Sequence, residues 1–140
     1  MPEMNQSQIE EFLRAPRHAI VGTRAADGAP QLSPVWYVYE GGRLYISVGP
    51  GSAKYRNLKR DPRISVCIDG GFRDYRAVIV YGTAEIIEPG GPGEEEWRLR
   101  IIRQYHDSDE EARQYAESTA AEPAAIVVIT PRRVLSQDFN

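Results

Sequence analysis

Between residues 18 and 88, short segments of alternating apolar residues are separated by glycine-bearing turns, and this pattern most constrains the fold. HAIVGTR (18–24) reads as a strand, Ala26-Asp27-Gly28 as a tight turn, and APQLSPVWYVYE (29–40) as the returning strand. Gly41-Gly42 turns the chain again into RLYISVG (43–49). In RISVCID (63–69), Ile64, Val66 and Ile68 share one face at period two. A long strand follows over 75–88, with Gly82 marking a bulge or a close backbone approach. AAIVVIT and RRVLSQD close the chain as strand material split by Pro131. Helices are expected only at 7–14, opened by a capping box from Ser7 to Glu10, and at 52–60, 94–106 and 108–117. They are too few and too late for a doubly wound sheet. The expected fold is therefore mainly β: a six-stranded antiparallel barrel with helices at its rim.

With 140 residues the chain is expected to form one domain spanning 1–140. Its net charge of −3 argues against a general nucleic-acid or acidic-membrane binder. Cys67 is the only cysteine, which excludes an internal disulfide and a cysteine metal cluster. The polar, acidic N-terminus has no apolar core of a signal peptide, and no apolar run reaches the roughly 18 residues of a membrane helix. A cytoplasmic location without membrane attachment follows as the expectation. His18 and His106 lie on separate elements and make an improbable metal pair.

Against this acidic background, GPGSAKYRNLKRDPR (49–63) concentrates positive charge, including both lysines of the chain, Lys54 and Lys59. Arg56, Arg60 and Arg63 accompany them. Ser52 stands at the N-cap of the expected helix, behind glycines that let backbone approach a ligand. Lys54 falls in the first turn, where the macrodipole favours an acid, so an external anion there would explain it. Phosphate is the natural candidate. A merely solvated helix face is the alternative, since Gly-Ser-x-Lys alone is a weak motif.

Taken together, PQLSPVWYVYEGGRLYISV, the turn, SAKYRNL and RDPRISVCID resemble the pyridoxamine 5′-phosphate oxidase-like split-barrel family. They are most similar to its short actinobacterial-type flavin/deazaflavin-dependent oxidoreductases, over about residues 8–88. The resemblance implies a homodimer with FMN or the deazaflavin coenzyme F420 (8-hydroxy-5-deazaflavin) held between subunits. It implies that Lys54 and Ser52 hold the cofactor phosphate. Gln31, Ser33, Pro34 and Val35 would line the ring, partly through backbone groups, and Ser47 would complete the wall. Tyr75 would reach in from the partner subunit. No protein nucleophile is implied, because the cofactor carries the hydride chemistry. Arg56, Lys59 and Arg60 extend the positive charge past Lys54 and lean the cofactor choice toward F420, whose tail is acidic. The second strand reads SPVWYVY where the true oxidase has Arg-x-Val-Leu-Leu-Lys, and nothing after VLSQDFN matches that enzyme's C-terminal substrate segment. Vitamin B6 oxidation is therefore not expected, and the substrate stays open.

Other conspicuous residues take plainer readings. Trp36, Tyr37 and Tyr39 alternate on one strand, placing one face in the core or a dimer interface, with Trp36 nearest the ring. Cys67 faces opposite to Ile64, Val66 and Ile68, as a small buried or interface residue. Three functions remain open: an oxidoreductase, a cofactor-binding module for storage or sensing, and a single-strand nucleic-acid barrel acting through Tyr55. The last fits the charge poorly.

Overall fold

The two hairpin turns adopt the backbone geometry that glycine permits. Gly41 and Gly42 have φ +59° and +80°, the two positive values of a two-residue type I′ turn, and Gly28 has φ +89°. The structure is a computed structural model that describes residues 2–140. Its strands are β1 (Ala19–Arg24), β2 (Pro30–Val35), β3 (Val38–Glu40), β4 (Arg43–Val48), β5 (Arg63–Asp69), β6 (Arg76–Ile87) and β7 (Ala125–Asp138). The helices are α1 (Gln6–Arg14), α2 (Ala53–Arg60), α3 (Glu94–Gln104) and α4 (Asp109–Ser118). None is long and apolar enough to cross a membrane among the described residues.

All seven strands form one antiparallel sheet in the order β2-β1-β5-β6-β7-β4-β3. Its two edges, β2 and β3, are consecutive in sequence and are joined only by Trp36 and Tyr37. The chain thus curls its sheet until the two edges come together at this link without pairing. Buried side chains from distant strands share one core inside the curl: Val21 of β1, Ile46 of β4, Val66 of β5, Val80 of β6 and Val127 of β7. Each such burial contributes about 1.5–3 kcal/mol.

The expected count of six strands is corrected to seven, because the expected second strand breaks at Trp36-Tyr37. The break has a physical cause. The Tyr37 N–H donates to Tyr105 Oη at 3.1 Å, and the Tyr37 carbonyl accepts from Gln104 Nε2 at 2.8 Å. Both main-chain groups are satisfied by the end of α3 instead of a neighbouring strand. The expected split of the last strand at Pro131 is also corrected. Tyr81 pairs with Arg133 and Gly82 with Pro131, so Arg132 is the extra residue of a bulge that absorbs the proline. Gly82 is indeed a close approach: a Cβ there would lie 2.6 Å from Thr130 O. The α1 capping box is formed by Asn5 and Gln8, two residues before the expected start, leaving Ser7 inside the first turn.

Helix α3 is fastened to the β3–β4 hairpin from outside the barrel. Trp97 stacks on Tyr45 with centroids 3.6 Å apart, and Arg100 grips Glu40 at 2.9 and 2.6 Å. Ile101 packs with Val38, Ile126 and Val128, and Ile102 with Ala112 and Ala116 of α4. This mounting brings α3 and α4 over the seam where the sheet closes.

Candidate functional site

A cavity of about 480 Å³ opens at that seam. One wall is Pro34, Val35 and Trp36; a second is Ser47, Val48 and Gly49 at the end of β4. Lys54 of α2 and His18, just before β1, complete the barrel side. Arg98, Ile101 and Ile102 of α3, Tyr115 of α4 and the segment from Thr119 to Ala124 supply the outer side.

Helix α2 presents Lys54 through a set of committed neighbours. Ser52 Oγ accepts from Tyr55 N–H at 3.3 Å and donates to Gly49 O at 2.7 Å, which caps the helix and ties it to the turn. Asn57 Nδ2 donates to Thr23 Oγ1 at 3.0 Å, and Thr23 Oγ1 donates to Gln31 Oε1 at 3.2 Å. This relay links α2 through β1 to β2. Arg56 donates to Gly51 O, Lys59 pairs with Glu88, Arg60 donates to Arg24 O and Asn57 Oδ1, and Arg63 pairs with Asp61. Among the described residues Lys54 alone of these five cations has neither an ion pair nor a hydrogen bond. It is half-buried and faces the cavity.

The seam itself is rigidly held. Trp36 stacks on Tyr105 with centroids 5.0 Å apart and an interplanar angle of 8°, and it meets Tyr115 at 5.5 Å and His106 at 5.7 Å. The Tyr105 hydroxyl also donates to Arg17 O. Burial raises the Tyr105 phenol above its ordinary range. Burial raises Tyr37 too, reinforced by Tyr105 and opposed by Arg17. Burial, then the neighbouring Asp69 charge, pushes the Cys67 thiol up, which disfavours the reactive thiolate.

Of the residues singled out from the sequence, Pro34, Val35, Ser47 and Lys54 line this one cavity. Gln31, Ser33, Ser52 and Tyr75 do not. Gln31 is engaged by Thr23, and Ser52 by its cap. Ser33 Oγ, one residue before the Pro34 wall, is buried with no hydrogen-bond partner. Tyr75 opens towards solvent at 60 % exposure, its N–H donating to Asn140 Oδ1. His18, Arg98, Tyr115 and Glu122 were not singled out as site residues; only their tertiary placement brings them to the cavity.

The arrangement suits a planar ligand with a phosphate. Lys54 is an unused cation beside an N-capped helix start, and a Cβ on Gly49 or Gly51 would meet nothing within 4 Å. β2 pairs only with β1, leaving its other edge of N–H and C=O groups without a strand partner among the described residues. The orphaned Ser33 hydroxyl lies on the same strand. Among the described residues no cluster of three or more His, Cys, Asp or Glu is placed to hold a metal.

A family model described as pyridoxamine 5′-phosphate oxidase matches residues 6–138. Among solved structures, a conserved hypothetical protein from Mycobacterium tuberculosis is 29 % identical, with a TM-score of 0.77 covering 96 % of this chain and 85 % of that one. An F420 reductase is 22 % identical, with a TM-score of 0.70 and coverage of 89 % and 94 %. An FAD-binding protein from Mesorhizobium loti is 24 % identical, with a TM-score of 0.69 and coverage of 95 % and 92 %. The last two likenesses establish the shared fold. With nearly its whole length matched, the chain belongs to the pyridoxamine 5′-phosphate oxidase-like split-barrel family.

Proposed function

We propose that the protein binds FMN or coenzyme F420 in the seam cavity and transfers hydride between it and a small organic substrate. The observation that carries this reading is Lys54: a half-buried cation, unpaired among the described residues, that faces a cavity whose barrel side includes Pro34, Val35 and Trp36. Similarity to an F420 reductase and an FAD-binding protein supports the same ligand class. The bound cofactor would supply hydride acceptance and donation at its ring.

The protein's part is binding and orientation. Lys54 would neutralise the phosphate, and Ser52 would shape that site by holding the turn at Gly49. Main-chain groups of β2 at Pro34, which has a carbonyl only, and Val35 would face the ring, while Ser47 closes the opposite wall. Gln31 acts through Thr23 and Asn57, fixing α2 against β2. Lys59 is neutralised by Glu88, whereas Arg56 and Arg60 hydrogen-bond only neutral carbonyl and amide oxygens and keep a positive charge that an F420 tail could meet. The choice between F420 and FMN rests on titration.

A homodimer completes the reading. Strand register aligns Pro34, Ile20, Cys67, Ile79 and Leu135 across the outer face of the sheet. Leu32 and Tyr81 stand in the next row, 64 % and 41 % exposed. An apolar stripe of this kind calls for cover by a second copy. Tyr75 would then be available to the partner's cavity. The unpaired Cys67 fits a reducing, cytoplasmic setting.

The test is the absorbance spectrum and mass of the copurifying ligand, followed by reduced-cofactor oxidation with quinones, enones and tetrapyrroles. A bound flavin with turnover supports the oxidoreductase. A bound flavin without turnover makes the protein a cofactor-binding module for storage or sensing.

A further inference from the structure

The cavity contains a second cation that the phosphate site does not use. Arg98 of α3 lies between the outer wall of this cavity and an adjoining depression that Glu94 also lines, while Lys54 belongs to α2 on the barrel side. The Arg98 side chain is 18 % exposed, yet its guanidinium makes no hydrogen bond among the described residues, and Nη1 is buried without a partner. Its one ionic neighbour is Glu94, one helical turn earlier, with Nε 3.6 Å from Oε2. That oxygen is itself buried and unpartnered; Glu94 Oε1 accepts from Gly90 N–H at 3.2 Å. Glu94 does not line this cavity; Glu122 does, and it is exposed at a turn.

A guanidinium carries five N–H donors in a planar fork that matches the two oxygens of a carboxylate. Leaving Nη1 dry and unpaired is costly, and the 3.6 Å contact of Nε with Glu94 is too long for a hydrogen bond, so the remaining donors of the fork are free for a ligand. The surrounding wall is apolar and aromatic: Trp36, Ile101, Ile102, Tyr115 and Pro123. We infer that Arg98 is the substrate-recognition residue of this cavity, pairing with the carboxylate of a small, planar, largely apolar acid that lies against Trp36 and Tyr115. The assignment rests on the reading that the same cavity holds the cofactor, but its test does not require turnover. A carboxylate has two possible sources here, a free acid substrate or the glutamate tail of F420, and the arms of the test separate them.

The test titrates wild type, Arg98→Gln and Lys54→Ala with benzoate, benzamide, FMN and F420, followed by tryptophan fluorescence. Wild type is expected to prefer benzoate over its neutral amide by about tenfold or more. Arg98→Gln should abolish that preference and leave FMN affinity unchanged, whereas Lys54→Ala should keep the preference and lose FMN affinity. Equal binding of benzoate and benzamide by wild type overturns the inference, as does a preference that survives in Arg98→Gln. If Arg98→Gln weakens F420 and not benzoate, the carboxylate belongs to the cofactor tail and the substrate assignment falls. Failure of wild type to bind FMN or F420, with the benzoate preference intact, overturns the cofactor reading and leaves Arg98's role standing. Should Arg98→Gln not fold, Glu94→Gln carries the test. Removing the competing carboxylate should tighten benzoate severalfold without affecting benzamide, and unchanged or weaker benzoate binding contradicts the inference.

Discussion

Tyr105 holds Tyr37 across the seam of the barrel: its phenol oxygen accepts the Tyr37 N–H at 3.1 Å, and its ring stacks on the adjacent Trp36. The contact joins the end of α3 to the two residues that connect the sheet's opposite edges. Tyr105→Phe keeps the stacking and strands a buried donor. It should cost about 1–3 kcal/mol of unfolding free energy, read by urea denaturation of the apo protein. Any loosening of the seam that lets water reach Trp36 should red-shift its emission.

The same pair sets an alkaline limit. The Tyr37 phenol has an ordinary value of 10.0, raised in the fold chiefly by burial, and Tyr105 is raised as well. Their protonated forms are favoured in the native state. The associated stability is therefore fully present below about pH 10. It declines as pH rises above that value, where the unfolded chain ionises first. Tyr37→Phe, which loses the hydroxyl bond to Ala15 O, should be less stable at neutral pH but show a shallower fall between pH 9 and 11, values chosen around the ordinary phenol range. Melting temperature against pH for both proteins checks this.

Gly82→Ala places a methyl group 2.6 Å from Thr130 O, against backbone rather than a movable side chain. The expected loss is about 1–3 kcal/mol or more, with the β6–β7 register as the element disturbed. Hydrogen exchange should show the loss of protection concentrated at Thr83, Thr130 and their neighbours.

These elements differ in how far local sequence betrays them. Gly82 was readable because a glycine inside a β-branched run has few explanations, and Ser52 because an N-cap is decided within four residues. The strand break at Trp36-Tyr37 was not readable. Its cause lies in Gln104 and Tyr105, nearly seventy positions away, and the aromatic run itself has high strand propensity. Pro131 misled for a similar reason: the bulge that accommodates it depends on Gly82 of the neighbouring strand. On the barrel side of the cavity, Lys54 follows from its place in the first turn of α2, whereas Pro34, Val35 and Ser47 were implied by the family resemblance. The outer side follows from neither, since Arg98 and Tyr115 sit on helices whose sequences resemble solvated surface. Arg98 reaches the cavity wall through the docking of α3, which Trp97 on Tyr45, Arg100 on Glu40 and the packing of Ile101 hold in place.

Leu32→Glu tests the proposed dimer. Leu32 is 64 % exposed on β2 and contributes nothing to the inner core, so the single chain should fold normally. Light scattering should give a dimer for wild type, about twice 15.8 kDa, and a monomer for the variant. A monomeric wild type at micromolar concentration would remove the dimer and any role of Tyr75 in a partner's site.

The most direct measurement of the central claim is FMN affinity, by fluorescence quenching, for wild type, Lys54→Ala and Lys59→Ala. Lys54 is unpaired at the cavity, and its removal deletes a charge-assisted bond of about 1.5–3 kcal/mol, which is about ten- to hundredfold in affinity. Lys59 is spent on Glu88 at the surface, so its removal should leave FMN affinity unchanged. Both apo variants should melt close to wild type, since alanine is the better helix former. Equal, minor losses for the two lysines would contradict the account and reduce the basic helix to a solvated surface.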